Sequence, residues 1–91
     1  MRIDRVVFEP DREDHIARHG VTLDEVDEVV FGTSLIYRER QGYYRVTGQT
    51  FAGRYLSVFL GPRDEPGVFG LVTARDATDA ERRQFREQRR R

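Results

Sequence analysis

At 91 residues the chain can build one modest hydrophobic core and not a second, which puts any site at the surface or in a shallow cleft and disfavours deep-pocket chemistry. It has no cysteine, which excludes disulfides, thiolate catalysis and cysteine-based zinc or iron–sulfur centres and fits a reducing compartment. Sixteen cations balance 16 carboxylates, but the signs are segregated: residues 1–31 carry nine carboxylates against four arginines, whereas from Arg38 to Arg63 five arginines face only Glu39.

In chain order, residues 2–8 read as a strand, because Ile3, Val6, Val7 and Phe8 are β-branched or aromatic and Pro10 interrupts the run. A short helix over 12–19 follows, capped by Asp11 and stopped by Gly20. Thr22 and Glu25 form a capping box for a second helix, in which Leu23, Val26, Val29 and Val30 share one face and Gly32 can end the run. Next comes a meander: strands over 35–40, 43–50 and 55–60, joined by turns at Gln41-Gly42 and Ala52-Gly53. The nearly continuous apolar run at 55–60 suits a central strand buried on both faces, and a last strand covers 67–74. A second capping box, Thr78 with Glu81, launches a C-terminal helix whose apolar anchors are Ala80 and Phe85 alone, so it is expected to pack loosely or to await a partner. The whole chain, 1–91, reads as a single α+β domain. The start lacks an apolar stretch of signal-peptide type and no run approaches the roughly 20 residues that span a bilayer, so the expected protein is soluble and cytoplasmic, with no membrane partner.

Every one of the 16 cations is arginine, the side chain whose planar fork grips phosphate and stacks on bases; GC-rich coding explains the same bias. His15 and His19 stand four apart, as two ligands of one metal would. Ile16 follows the first histidine where a zinc protease needs glutamate, and no third ligand is marked, so no metal and no cofactor is expected. No nucleophile motif, P-loop or dinucleotide fingerprint occurs. Arginine, histidine, tyrosine and carboxylate remain. They suffice for metal-free RNA cleavage, in which a base takes the 2′-hydroxyl proton, cations stabilise the phosphorane and an acid protonates the leaving 5′-oxygen.

Three stretches carry a family resemblance. Asp14-His15-Ile16-Ala17-Arg18-His19-Gly20-Val21, followed by Glu25-Val26-Asp27-Glu28-Val29, resembles the opening of the BrnT toxins; Gly53-Arg54-Tyr55-Leu56-Ser57-Val58-Phe59 resembles their G-R-x-L-x-V strand; and residues 73–85, from Thr73-Ala74-Arg75 to Glu81-Arg82-Arg83-Gln84-Phe85, resemble their closing helix. Together they span most of the chain in the right order. The chain departs from the pattern in having Phe8-Glu9-Pro10 and no tryptophan before the first helix, and Arg18 in place of lysine. The resemblance implies a RelE-like fold, a bacterial type II toxin with endoribonuclease activity that halts translation, and a BrnA-like antitoxin encoded alongside, with a homodimer inside the toxin–antitoxin complex as a further expectation.

The residues then fall into roles. His19 is the candidate proton carrier, since its unperturbed pKa lies near neutrality; as a helix-terminal histidine it also serves the dipole. Arg54 and Arg75 are the candidates to hold the scissile phosphate; the structural alternatives are a strand-edge charge for Arg54 and, for Arg75, a salt bridge to Glu81 or to a carboxylate of the first helices. Arg18, Arg45, Tyr44, Arg82 and Arg83 are candidate RNA contacts, and of the adjacent Tyr43 and Tyr44 a strand sends one to the core. A non-catalytic RNA- or protein-binding member of the same fold is the rival reading.

Overall fold

The apolar run predicted to be central lies in the middle of a five-stranded sheet. The computed structural model describes residues 1–90. Its elements are β1 (Arg5–Val7), α1 (Pro10–Ala17), α2 (Leu23–Val30), β2 (Ser34–Arg38), a 3-10 turn (Arg40–Gly42), β3 (Tyr44–Gln49), β4 (Tyr55–Pro62), β5 (Val68–Asp76) and α3 (Asp79–Arg89). The strand order is β1-β5-β4-β3-β2. The chain from β2 to β5 is an antiparallel meander, and β1 joins its far edge parallel to β5. That parallel pair could not be read locally, because it joins segments about sixty residues apart. It extends over only Arg5–Val7, which is why the first strand is shorter than its β-branched residues suggest.

Helix α1 begins at Pro10 rather than after Asp11. Proline's fixed φ suits the first helical position, Glu9 is the N-cap without a side-chain capping bond, and Asp11 pairs with Arg12 within the first turn. Its end follows the expectation: past the Arg18 C-cap Gly20 takes φ +72°, the Val21 N–H reaches the Ile16 carbonyl at 3.1 Å and the Gly20 N–H reaches Ala17 at 2.9 Å, the paired bonds of a Schellman-type stop. Both capping boxes form, Thr22 with Glu25 and Thr78 with Glu81.

The two faces of the sheet differ. Helices α1 and α2 cover one of them, where Ile16, Val26 and Val29 meet Val46, Leu56, Val58 and Leu60 in a dry aliphatic layer. Helix α3 crosses the other face. It is held more firmly than its apolar count predicted: Phe85 is 1% exposed with its ring 6.0 Å from Tyr55, and Glu81 is tied into the sheet by hydrogen bonds. Polar anchoring substitutes for the missing apolar stripe. A bulge at Phe59/Leu60 leaves Val72 as an extra residue on β5, and its carbonyl accepts from Arg12 at 3.2 Å, binding α1 to the sheet.

Candidate nucleic-acid interface

Alternation along the strands puts two rows of side chains on the α3 face. Tyr37, Arg45, Phe59 and Thr73 stand opposite one another across β2, β3, β4 and β5, and Leu35, Thr47, Ser57 and Arg75 form the next row. These rows hold a continuous polar network. Arg45, 7% exposed, donates from Nε to Glu39 at 2.9 Å, from Nη1 to Thr47 at 2.8 Å and from Nη2 to Gln84 at 3.3 Å, with its guanidinium 4.6 Å from the Tyr37 ring centre. Thr47 and Ser57 share a 2.7 Å hydrogen bond, and Ser57 donates to Glu81 at 2.8 Å. Arg75 grips Glu81 with both Nη atoms, at 2.8 and 3.1 Å, and lies 5.1 Å from the centre of the Phe59 ring.

Glu81 is the hub. Burial works to raise its pKa, but the Arg75 fork, the Thr78 N–H and the Ser57 hydroxyl outweigh it and hold the carboxyl down at about 2. Its hydrogen bonds in turn raise the pKa of Arg75 above the ordinary arginine value against the opposing effect of burial, with the charge of Glu39 adding to the rise. The result is a fixed, permanently charged guanidinium at the boundary of the part of the sheet that α3 covers.

Arg54 belongs to a different cluster, at the edge where the α1–α2 turn meets the sheet. Its Nε donates to Asp76 at 2.9 Å, and Nη1 donates to the Gly20 carbonyl at 2.6 Å and to Glu25 at 3.2 Å. Burial disfavours its charge, yet Asp76 and Glu25 more than compensate and raise its pKa. Arg54 therefore clamps α1, α2 and β5 together. His19 sits beside it, with its carbonyl 3.4 Å from Arg54 Nη2 and its exposed imidazole edge-on to His15 at 5.5 Å. Asp76 pairs with the core residue Leu56 whereas Arg75 pairs with Ser57, so the Arg54–Asp76 and Arg75–Glu81 clusters occupy opposite faces. The structure brings His19 to Arg54 and brings Arg45 to the Arg75 network; it does not unite the two groups.

The other predicted contacts are scattered. Tyr44 packs on the core side, 5.9 Å edge-on to Phe69, and Tyr43 is the exposed member of the pair. Arg82 lies 4.6 Å over the Tyr55 ring with a buried Nε that has no hydrogen-bond partner, beside a 410 Å³ cleft it shares with Arg54, Asp76 and Ala77. Arg18 and Arg83 are exposed at the end of α1 and on the outer side of α3. Among the described residues no three His, Asp or Glu side chains are placed to hold a metal ion, and no helix is long and apolar enough to cross a membrane.

No family model matches the chain, and no curated protein matches it significantly. Among solved structures, the crystal structure of the Brucella abortus ribonuclease toxin BrnT superposes with a TM-score of 0.65 at 14% identity, over 82% of this chain and 97% of that one. The fold is BrnT-like. At that identity the likeness rests on the arrangement of elements rather than on shared side chains.

Within this BrnT-like frame, several residues of the α3 face escaped the sequence reading as site residues. Glu39 and Phe59 join Arg45 and Arg75 only through strand register. Arg63, in the β4–β5 loop, folds back over Gly70 and donates to Glu9 at 3.0 Å. Glu81 left a local signal in its capping box, and its salt bridge to Arg75, weighed from the sequence as the structural alternative, is formed.

Proposed function

We propose that the chain is the toxin component of a bacterial type II toxin–antitoxin pair, a metal-independent endoribonuclease that cleaves RNA on the α3 face of its sheet and so inhibits translation. The fold it shares with a ribonuclease toxin supports this reading. The observation that carries it is the juxtaposition of Arg75, Arg45 and Phe59 on the face of the sheet that α3 crosses. A phosphate needs a fixed cation and a base needs an apolar face, and both are present.

In this reading Arg75, side chain 36% exposed, presents the free edge of its guanidinium to the scissile phosphate and stabilises the charge that develops in the phosphorane. Arg45 lies behind it and adds positive field. Glu81 positions Arg75 and is a poor base, because a carboxyl held at about 2 has little affinity for a proton at neutral pH. Glu39, half-exposed beside Arg45, is the carboxylate proposed to take the 2′-hydroxyl proton; the 2′-oxygen bonds to phosphorus, the bond to the 5′-oxygen breaks, and that oxygen takes its proton from water. Arg82, Arg83 and Arg18 extend the contact with the RNA backbone beyond the centre. A BrnA-like antitoxin encoded alongside is the partner this role requires, and the cytoplasm is where its substrate lies.

Induced expression in a growing bacterium tests the reading. Growth arrest with loss of intact RNA is expected, unchanged by a permeant chelator in cleavage assays of the purified protein, and absent for Arg75→Ala. A second reading, an RNA- or protein-binding module without catalysis, is favoured by the fact that Arg45 and Arg75 are already paired with Glu39 and Glu81. RNA that is bound, salt-sensitively, and recovered intact would select it.

A further inference from the structure

Above the Arg75 row the sheet changes character. Gly61 and Gly70 stand opposite each other on β4 and β5, on the face that carries Phe59 and next to Val7 of β1. With no side chains of their own they leave a flat floor, and two planar groups rest on it. The Tyr43 ring lies against Gly61, where a Cβ would meet Cδ1 and Cε1 at 3.4 Å; the Arg63 guanidinium lies over Gly70 so closely that any Cβ there would overlap it. Tyr43 is 41% exposed, and the Arg63 side chain 42%, so each keeps one surface towards solvent. Of the Arg63 guanidinium nitrogens, Nη2 alone is engaged with Glu9. Fixed aromatic rings with one side supported and the other open are what base stacking uses, and an adjacent cation serves the phosphate next to that base.

From Ser57, opposite Arg75, to Gly61 is four residues of β4, about 13 Å at the rise of a strand. Phe59 lies halfway. Arg75 and Arg63 thus bracket an aromatic strip made of Phe59 and Tyr43, on one face and along one strand. Resting on the RNA-directed reading above, we propose that Tyr43 and Arg63 form a second nucleotide subsite: the Tyr43 ring stacks on an unpaired base adjacent to the cleavage position, and Arg63 holds the phosphate attached to it. The substrate is then a single-stranded segment laid along β4, since a base paired within a duplex has no free face to offer Tyr43. The glycine pair is what keeps the strip flat enough to receive it.

The test uses the full chain and a fluorescent single-stranded RNA in which every 2′-hydroxyl is methylated, so that binding is read without cleavage. Tyr43→Ala should weaken binding by about 5- to 140-fold, the scale of losing one stacked base, and Tyr43→Trp should restore it. Arg63→Ala should weaken binding and lower the salt dependence by about one counterion. Gly70→Ala, which drives Arg63 off its floor, should reproduce Arg63→Ala; because it can also disturb β5, melting temperatures are compared and Arg63→Ala is decisive if they differ. Parent-like affinity in folded Tyr43→Ala and Arg63→Ala, with Arg75→Ala still impaired, overturns the subsite and leaves the ribonuclease reading standing. A parent protein that binds no RNA at all overturns both. Tighter binding to a duplex than to the single strand likewise overturns the subsite.

Discussion

The two faces of this sheet solve the same problem by opposite means. Under α1 and α2, valine, leucine and isoleucine pack into an apolar layer that excludes water. Under α3 the sheet buries a guanidinium, two hydroxyls and a carboxylate within a short span and satisfies them with one another. Burying charge is costly unless it is paired and hydrogen-bonded, and such networks seldom stabilise more than an apolar core of the same volume. The dry face therefore accounts for most of the stability, and the polar face fixes the direction of Arg75.

The sharpest break in that comparison comes from substituting each face in turn. Leu56→Ala, on the dry side and fully buried, should cost about 2–5 kcal/mol by chemical denaturation, from lost transfer energy plus the cavity left behind. Its RNA affinity per folded molecule should match the parent. Arg75→Ala should do the reverse: a stability loss of about 1–2 kcal/mol through its half-exposed pair with Glu81, and cleavage lower by about 10²–10³-fold, as for the loss of a transition-state donor. If Leu56→Ala lost cleavage as deeply as Arg75→Ala, the division of labour between the faces would be wrong.

Acid should separate the faces next. Glu81 titrates at about 2 in the folded protein against an ordinary value of 4.5, so its folded pKa is depressed. A depressed carboxyl contributes stability that is present in full above pH 4.5 and is lost as pH falls towards 2. The shift corresponds to about 3 kcal/mol in that window. Urea titrations from pH 6 down to pH 2.5 should show a steep loss in the parent and a shallower one in Glu81→Gln, which starts less stable because the Arg75 fork has lost its anion. Parallel curves for the two proteins would show that Glu81 does not carry the acid sensitivity.

These residues also mark where sequence reading ends. Period and caps sufficed for α2, for the central position of β4 and for the Gly20 stop, because each is fixed by neighbours within a few residues. What failed was non-local. The parallel pairing of β1 with β5 depends on the order in which strands assemble, and the firm seating of α3 depends on Ser57 and Arg75 arriving opposite Glu81 through the register of two other strands. Counting apolar residues on α3 could not show a polar anchor. The same blindness put His19, Arg54 and Arg75 in one site: as residues of similar motifs they looked alike, and only alternation along β5 reveals that Arg75 and Asp76, the partner of Arg54, face opposite ways.

The smallest expected effect is at His19, and it decides which side of the sheet does the chemistry. Its imidazole is exposed, meets His15 edge-on and lies at the Arg54 edge rather than on the α3 face. With Arg75 at the centre of cleavage, His19→Gln has nothing to remove except a favourable interaction with the C-terminal dipole of α1. The stability change should be on the order of 1 kcal/mol or less. Cleavage per folded molecule should equal the parent rate. A folded His19→Gln protein with parent RNA affinity but cleavage reduced 10²–10⁴-fold, the usual scale for a general acid or base, would move the reaction to the Arg54 edge and leave the Arg75–Glu81 network as a structural clasp for α3.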